Sequence, residues 1–212
     1  MGTNGGEDKT MSFLRKHSFK IAVLALCAAM GIYLLIMYGP KKAEPLPVLQ
    51  AAPAFEMNDI DGKPVSLEST NGKVRIVYFY FANCPDVCPP TTFMLGQAQD
   101  MLKAQGTLGD KVELISITFD PERDTPEAIR QFAERTSADM EGWHFLRGEE
   151  DATIQLARDF EVGVIKVEKE NTFAHFNVIT LVDQNGQIRE WINGNDEELT
   201  PEYIVQQINK LL

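Results

Sequence analysis

The chain has 212 residues, 44% of them hydrophobic and 24% charged, with a formal net charge of −11. That length allows one domain with an appendage rather than two ordinary domains, and the composition excludes a disordered chain. Sixteen Lys and Arg against twenty-nine Asp and Glu follow Pro40, so the main body lacks the basic stripe that nucleic acid requires.

The first element in chain order is the uncharged run Ile21–Tyr38. As a helix it spans about 27 Å, close to the thickness of a hydrocarbon core. A cleaved signal peptide has a shorter apolar core and a small-x-small site, which Gly39–Pro40 does not supply. Leu26 before Cys27 and the long apolar continuation argue against a lipoprotein signal. A buried core helix does not need apolar residues on every face beside a basic flank. The run is therefore expected to be a transmembrane anchor over 21–38, preceded by a disordered cytoplasmic tail over 1–20. Arg15, Lys16 and Lys20 before the run set the orientation, with the main domain exported. The acid-containing tail favours a cell inner membrane and a periplasmic domain over a mitochondrial inner membrane.

A Pro-rich linker over 39–53 leads to a domain over 54–212. Phe55–Leu67 predicts a β-hairpin turning at Asp61–Gly62. Val74–Phe81 and Val112–Phe119 read as strands buried on both faces. Pro89–Ala104 has helical spacing, and Thr125-Pro126-Glu127 and Thr200-Pro201-Glu202 read as helix starts, hydroxyl at the cap and proline behind it. Trp143–Leu146, Val164–Glu168, Asn177–Val182 and Gln187–Ile192 complete the strands, and Glu149–Phe160 a further helix. On the terminal helix Tyr203, Ile204, Ile208 and Leu211 share one face. The order describes an α/β domain with a central sheet flanked by helices.

Cys84 and Cys88 lie between a buried strand and a helix, one helical turn apart, so both sulfurs can face one side. Helix N-terminal amides lower a thiol pKa, and a thiolate is both nucleophile and soft-metal ligand. The pair thus suits redox exchange or metal binding; a disulfide between them would close too small a loop to contribute much stability. A metal would need a third ligand. Of the three histidines, His17 precedes the anchor, His144 sits in a strand between Trp143 and Phe145, and His175 lies on a loop before Asn177–Val182. Asp120 and Asp124 flank Arg123 at a helix start, where a structural role is expected, near the cysteines if both segments follow strand ends.

These residues resemble the Sco/SenC family. Phe81-x-x-Cys84-Pro85-Asp86-Val87-Cys88-Pro89 is similar to its cysteine motif, Asp120–Glu127 to a second block, and the spacing from His175 to Asp183 and Gly186 to its histidine–strand–turn segment. The resemblance implies a thioredoxin-like fold and copper, as Cu(I) and also Cu(II), held by Cys84, Cys88 and His175, with Asp86 beside the metal. It also implies delivery of copper to the binuclear site of cytochrome c oxidase subunit II, or reduction of that site's cysteines. Ala174 and Phe176 depart from the acidic and small polar residues that commonly flank the histidine. The alternative is a thiol–disulfide oxidoreductase using Cys84 and Cys88 as its redox pair, although thioredoxins have two residues between the cysteines rather than three. A peroxiredoxin lacks support, because Phe81 and Pro85 stand where its threonine would precede Cys84 or Cys88.

Overall fold

The computed structural model describes residues 7–38, 45–167, 169 and 172–212. The chain divides into two compact units, Met1–Ala43 and Glu44–Leu212. Among the described residues the first is one helix, α1 (Glu7–Tyr38), with a mean hydropathy of 2.0 over His17–Leu35. The tail expected to be disordered is helical from Glu7. Nothing between Glu7 and Lys20 breaks a helix, since neither proline nor glycine occurs there.

The second unit is built on an eight-stranded mixed sheet in the order β1 (Gln50–Ala51), β10 (Gln187–Asn193), β9 (Val178–Val182), β4 (Val74–Tyr80), β5 (Val112–Thr118), β6 (Trp143–Arg147), β2 (Glu56–Asp59), β3 (Pro64–Ser66). Its centre is β4 (Val74–Tyr80), paired parallel with β5 (Val112–Thr118) and antiparallel with β9 (Val178–Val182). Every residue of β4 and β5 is buried, the charged Arg75 and Glu113 included, as a mainly apolar pattern requires of strands covered on both faces. Tyr78 and Tyr80 face α2 (Cys88–Ala104) and α3 (Pro126–Arg135), with Tyr80 stacked on Phe132 at 5.3 Å between ring centroids. Phe79 points the other way and meets Phe160, which caps α4 (Glu150–Asp159), at 5.5 Å. The last helix, α5 (Pro201–Asn209), packs against α2.

Thr125 and Thr200 cap α3 and α5 as their sequences predict, accepting from the amides of Ala128 and Tyr203. The hairpin β2 (Glu56–Asp59) and β3 (Pro64–Ser66) extends the sheet beyond β6 (Trp143–Arg147), and β10 (Gln187–Asn193) lies on the other side of β9. Three further expectations are corrected. The end of the linker forms β1 (Gln50–Ala51) along β10, held also by Arg189, whose guanidinium donates to the carbonyls of Leu46 and Pro47. Tyr203 is exposed, its hydroxyl turned to Glu190 rather than sharing the buried face of Ile204 and Ile208. The segment before β9 contains a hairpin, β7 (Val164–Val167) and β8 (Thr172–His175), so His175 ends a strand rather than lying on a loop. Thr172–His175 alternates around buried Phe173, a pattern too short to read without its partner strand.

Candidate metal centre

Strand directions bring three distant segments to one end of the sheet. β4 and β5 run parallel and in register to Tyr80 and Thr118, so Phe81–Cys84 and Phe119–Asp124 leave the sheet side by side. β9 is antiparallel to β4, with Ile179 opposite Tyr78, so the residues entering β9 arrive where β4 ends. His175 is thereby carried to the cysteines.

The cysteine turn has its own local logic. Val87, at the cap position of α2, offers no side-chain acceptor, and Pro89 and Pro90 have no amide hydrogen. The N–H of Cys88 is thus the first donor that this helix presents, and it points at Cys84 Sγ, 3.5 Å away. Cys84 is held well below the ordinary thiol range, chiefly by a hydrogen bond from Cys88, against the opposing effect of burial and with help from the amides of Asp86 and Cys88. Cys88, fully buried, is pushed up by desolvation and by the neighbouring sulfur. The pair shares one proton: Cys84 is the thiolate and Cys88 the thiol. Asp86 supplies its backbone amide, while its side chain is exposed.

His175 completes the group. Its Nδ1 lies 3.0 Å from the carbonyl of Phe176 and its Nε2 3.5 Å from Cys88 Sγ. A carbonyl can only accept, so Nδ1 carries the proton and the lone pair of Nε2 faces the sulfurs, the arrangement of a metal-ligating imidazole. The ring stands edge to face on Phe119 and Phe81, at 5.2 and 6.0 Å, and Phe173 packs beneath at 5.0 Å from Phe119. Behind it, the Phe176 ring lies over Gly163, where an added Cβ would come within 3.0 Å.

The donor atoms of Cys84, Cys88 and His175 all lie within 4.8 Å of one another, and they form the one such group of three or more among the described residues. Two donors bonded to one ion at about 2.3 Å stand no more than about 4.6 Å apart, so small shifts close the site. Two sulfurs and an imidazole suit a soft ion such as copper, and three ligands are too few for a closed structural zinc site.

The other candidates fall elsewhere. His144 faces Glu113 across 3.7 Å, and His17 belongs to α1. Asp120 pairs with Arg123. Asp124 is buried and accepts from the amide of Ala82 and the hydroxyl of Thr118, so it anchors the turn leading to Cys84. Sequence reasoning missed Phe119 and Phe173 as the floor of the site. The usable signal was an aromatic residue directly after each of the two buried strands, Phe81 and Phe119.

Residues 44–212 match the SCO1/SenC family model. The chain belongs to the SCO1/SenC family. It is 34% identical to the SCO1 protein homolog of Bacillus subtilis over 66% of this chain and 72% of that one. Among solved structures it resembles BsSco, a member of the Sco family of cytochrome c oxidase assembly proteins in which a disulfide switch was identified. That match has 31% identity and a TM-score of 0.67 over 81% of this chain and 98% of BsSco. It also resembles the copper-bound ScoI of Bradyrhizobium japonicum, at 29% identity and a TM-score of 0.63 over 76% of this chain and 99% of that one. The fold is the thioredoxin-like α/β fold of these Sco structures, with a curled central sheet.

Proposed function

We propose that this protein is a membrane-tethered copper carrier that binds the ion through Cys84, Cys88 and His175. The observation that carries the reading is the approach of His175 Nε2 to Cys88 Sγ, at 3.5 Å, with Cys84 completing the group. Copper bound to the Bradyrhizobium japonicum relative supports the choice of ion. Cys84 offers a ready thiolate, and uptake releases the proton of Cys88. Copper is cargo here: a three-ligand set leaves room for a client's donor to enter as the protein's own ligands let go.

The proposed client is the binuclear copper site of cytochrome c oxidase subunit II, supplied with copper or having its cysteines reduced. BsSco's place among oxidase assembly proteins supports this choice. Residues 21–38 would anchor the chain in a cell inner membrane, residues 39–53 would lead away from it, and residues 54–212 would work in the periplasm.

The test is Cu(I) competition with the full-length chain in detergent, wild type against His175→Ala. Undiminished affinity and an unchanged Cu(II) spectrum in the variant would remove His175 from the site. The disulfide switch of BsSco favours a second reading, thiol–disulfide exchange by Cys84 and Cys88. Brisk catalytic reduction of a client disulfide without copper would favour that reading over the carrier.

A further inference from the structure

Asn177 stands two residues beyond His175, in the step from β8 into β9, and is buried. Its side chain joins three separate elements. Oδ1 accepts from the hydroxyl of Tyr78 in β4 at 3.0 Å. Nδ2 donates to Thr91 in the first turn of α2 at 2.9 Å and to Asn195, beyond β10, at 2.8 Å. Its backbone carbonyl accepts from the amide of Gly194 at 2.8 Å. Both amide hydrogens and the carbonyl oxygen are therefore engaged.

Two of those partners lead directly to the sulfurs. Thr91 lies three residues after Cys88 on α2, and the buried Tyr78 hydroxyl lies close enough to Cys88 for the two to interact electrostatically. Gly194 shows how tightly the amide is gripped, since a Cβ there would come within 2.7 to 2.8 Å of its atoms. The β7–β8 hairpin is a small sheet of its own and shares no ladder with the main sheet. Its alignment with the cysteines comes from side-chain packing, such as Phe173 on Phe81 and Phe119, and from the anchored point where the chain leaves it at Asn177.

We propose that Asn177 is a positioning residue for the copper site, a clamp that sets the reach of His175 to Cys84 and Cys88 by tying the histidine segment to the helix that starts at Cys88. It touches no ion itself. Loss of a group supporting a ligand costs about ten- to a hundredfold in metal affinity. The clamp rests on the reading of His175 as a ligand.

The experiment uses the full-length chain in detergent, loaded with Cu(II) for optical and EPR spectra and titrated with Cu(I) against a competing chelator. Asn177→Leu removes the clamp at similar volume. It is expected to shift the sulfur-to-copper bands and weaken the nitrogen hyperfine signal in the direction of His175→Ala, with about tenfold weaker Cu(I) binding. Thr91→Val removes one arm without changing shape and should shift the same signals the same way, by less. Ile129→Val, in the core of α3, controls for lost stability and should leave the spectra at wild type.

Wild-type spectra and affinity in Asn177→Leu overturn the clamp, as does an equal spectral change in Ile129→Val. If Asn177→Leu does not fold, Thr91→Val decides by the same readouts, and wild-type values there overturn the proposal. If His175→Ala itself keeps the wild-type spectrum, the ligand assignment has failed and the clamp falls with it. If His175→Ala changes the spectrum and the clamp variants do not, the clamp alone has failed.

Discussion

The imidazole Nε2 of His175 lies 3.5 Å from the sulfur of Cys88, across 87 positions of sequence. The Nδ1 proton is turned to the Phe176 carbonyl, so the meeting presents a lone pair to a thiol rather than one donor to another. Antiparallel pairing of β9 with β4 makes this approach possible, because the entry of one strand lies beside the exit of the other.

The two cysteines are expected to differ sharply in reactivity before metal is added. Cys84 has its pKa lowered, so its thiolate persists on acidification until the pH falls through that lowered value, whereas Cys88 stays protonated. At pH 6 iodoacetamide should label Cys84 at least about tenfold faster than Cys88 in the metal-free protein. Peptide mapping by mass spectrometry separates both from Cys27. Preferential labelling of Cys88 would contradict the assignment.

The aromatic floor beneath His175 should matter for folding. Phe119 is completely buried and touches Phe81, Phe173 and the imidazole. Phe119→Ala is expected to cost about 3–5 kcal/mol in unfolding free energy, as other large aromatic truncations in cores do. Urea titration followed by tryptophan fluorescence measures it. A loss under about 1 kcal/mol would mean that the pocket collapses around the gap.

Asp124 predicts a pH dependence of stability. Burial raises its pKa from 3.8 to about 6, against the hydrogen bonds from Thr118 and Ala82 that favour the anion. The folded protein therefore holds this proton more tightly than the unfolded chain. The group's contribution to stability is greatest below the unfolded value and falls as pH rises to about 6, with no further change above. A shift of that size corresponds to about 3 kcal/mol. Asp124→Asn can keep both accepting bonds and should remove the slope. The difference between wild type and variant, measured by urea unfolding from pH 4 to 7.5, should change across that window; a flat difference would refute the assignment.

Ser116 and Trp143 offer a test of polar satisfaction within the sheet. The indole N–H donates to the Ser116 hydroxyl at 2.9 Å, and both residues are buried. Ser116→Ala leaves that donor without its acceptor, at an expected cost of about 1–3 kcal/mol. Ser116→Thr keeps a hydroxyl and should recover part of the loss if the bond, rather than packing, is responsible.

Much of this protein is written locally. The mainly apolar, β-branched runs of β4 and β5 read as buried strands, Thr125-Pro126 and Thr200-Pro201 start helices because their hydroxyls cap them, and Ile21–Tyr38, uncharged on every face, is long enough to read as a helix. Cys84 and Cys88 announce a reactive pair through their spacing and the helix that follows them. The approach of His175, the clamp at Asn177, the floor of Phe119 and Phe173, and the docking of Gln50–Ala51 on β10 were decided only by the tertiary structure. Each depends on which strands pair and in which direction. Periodicity reports which face of an element is buried, but it carries no information about the partner waiting there.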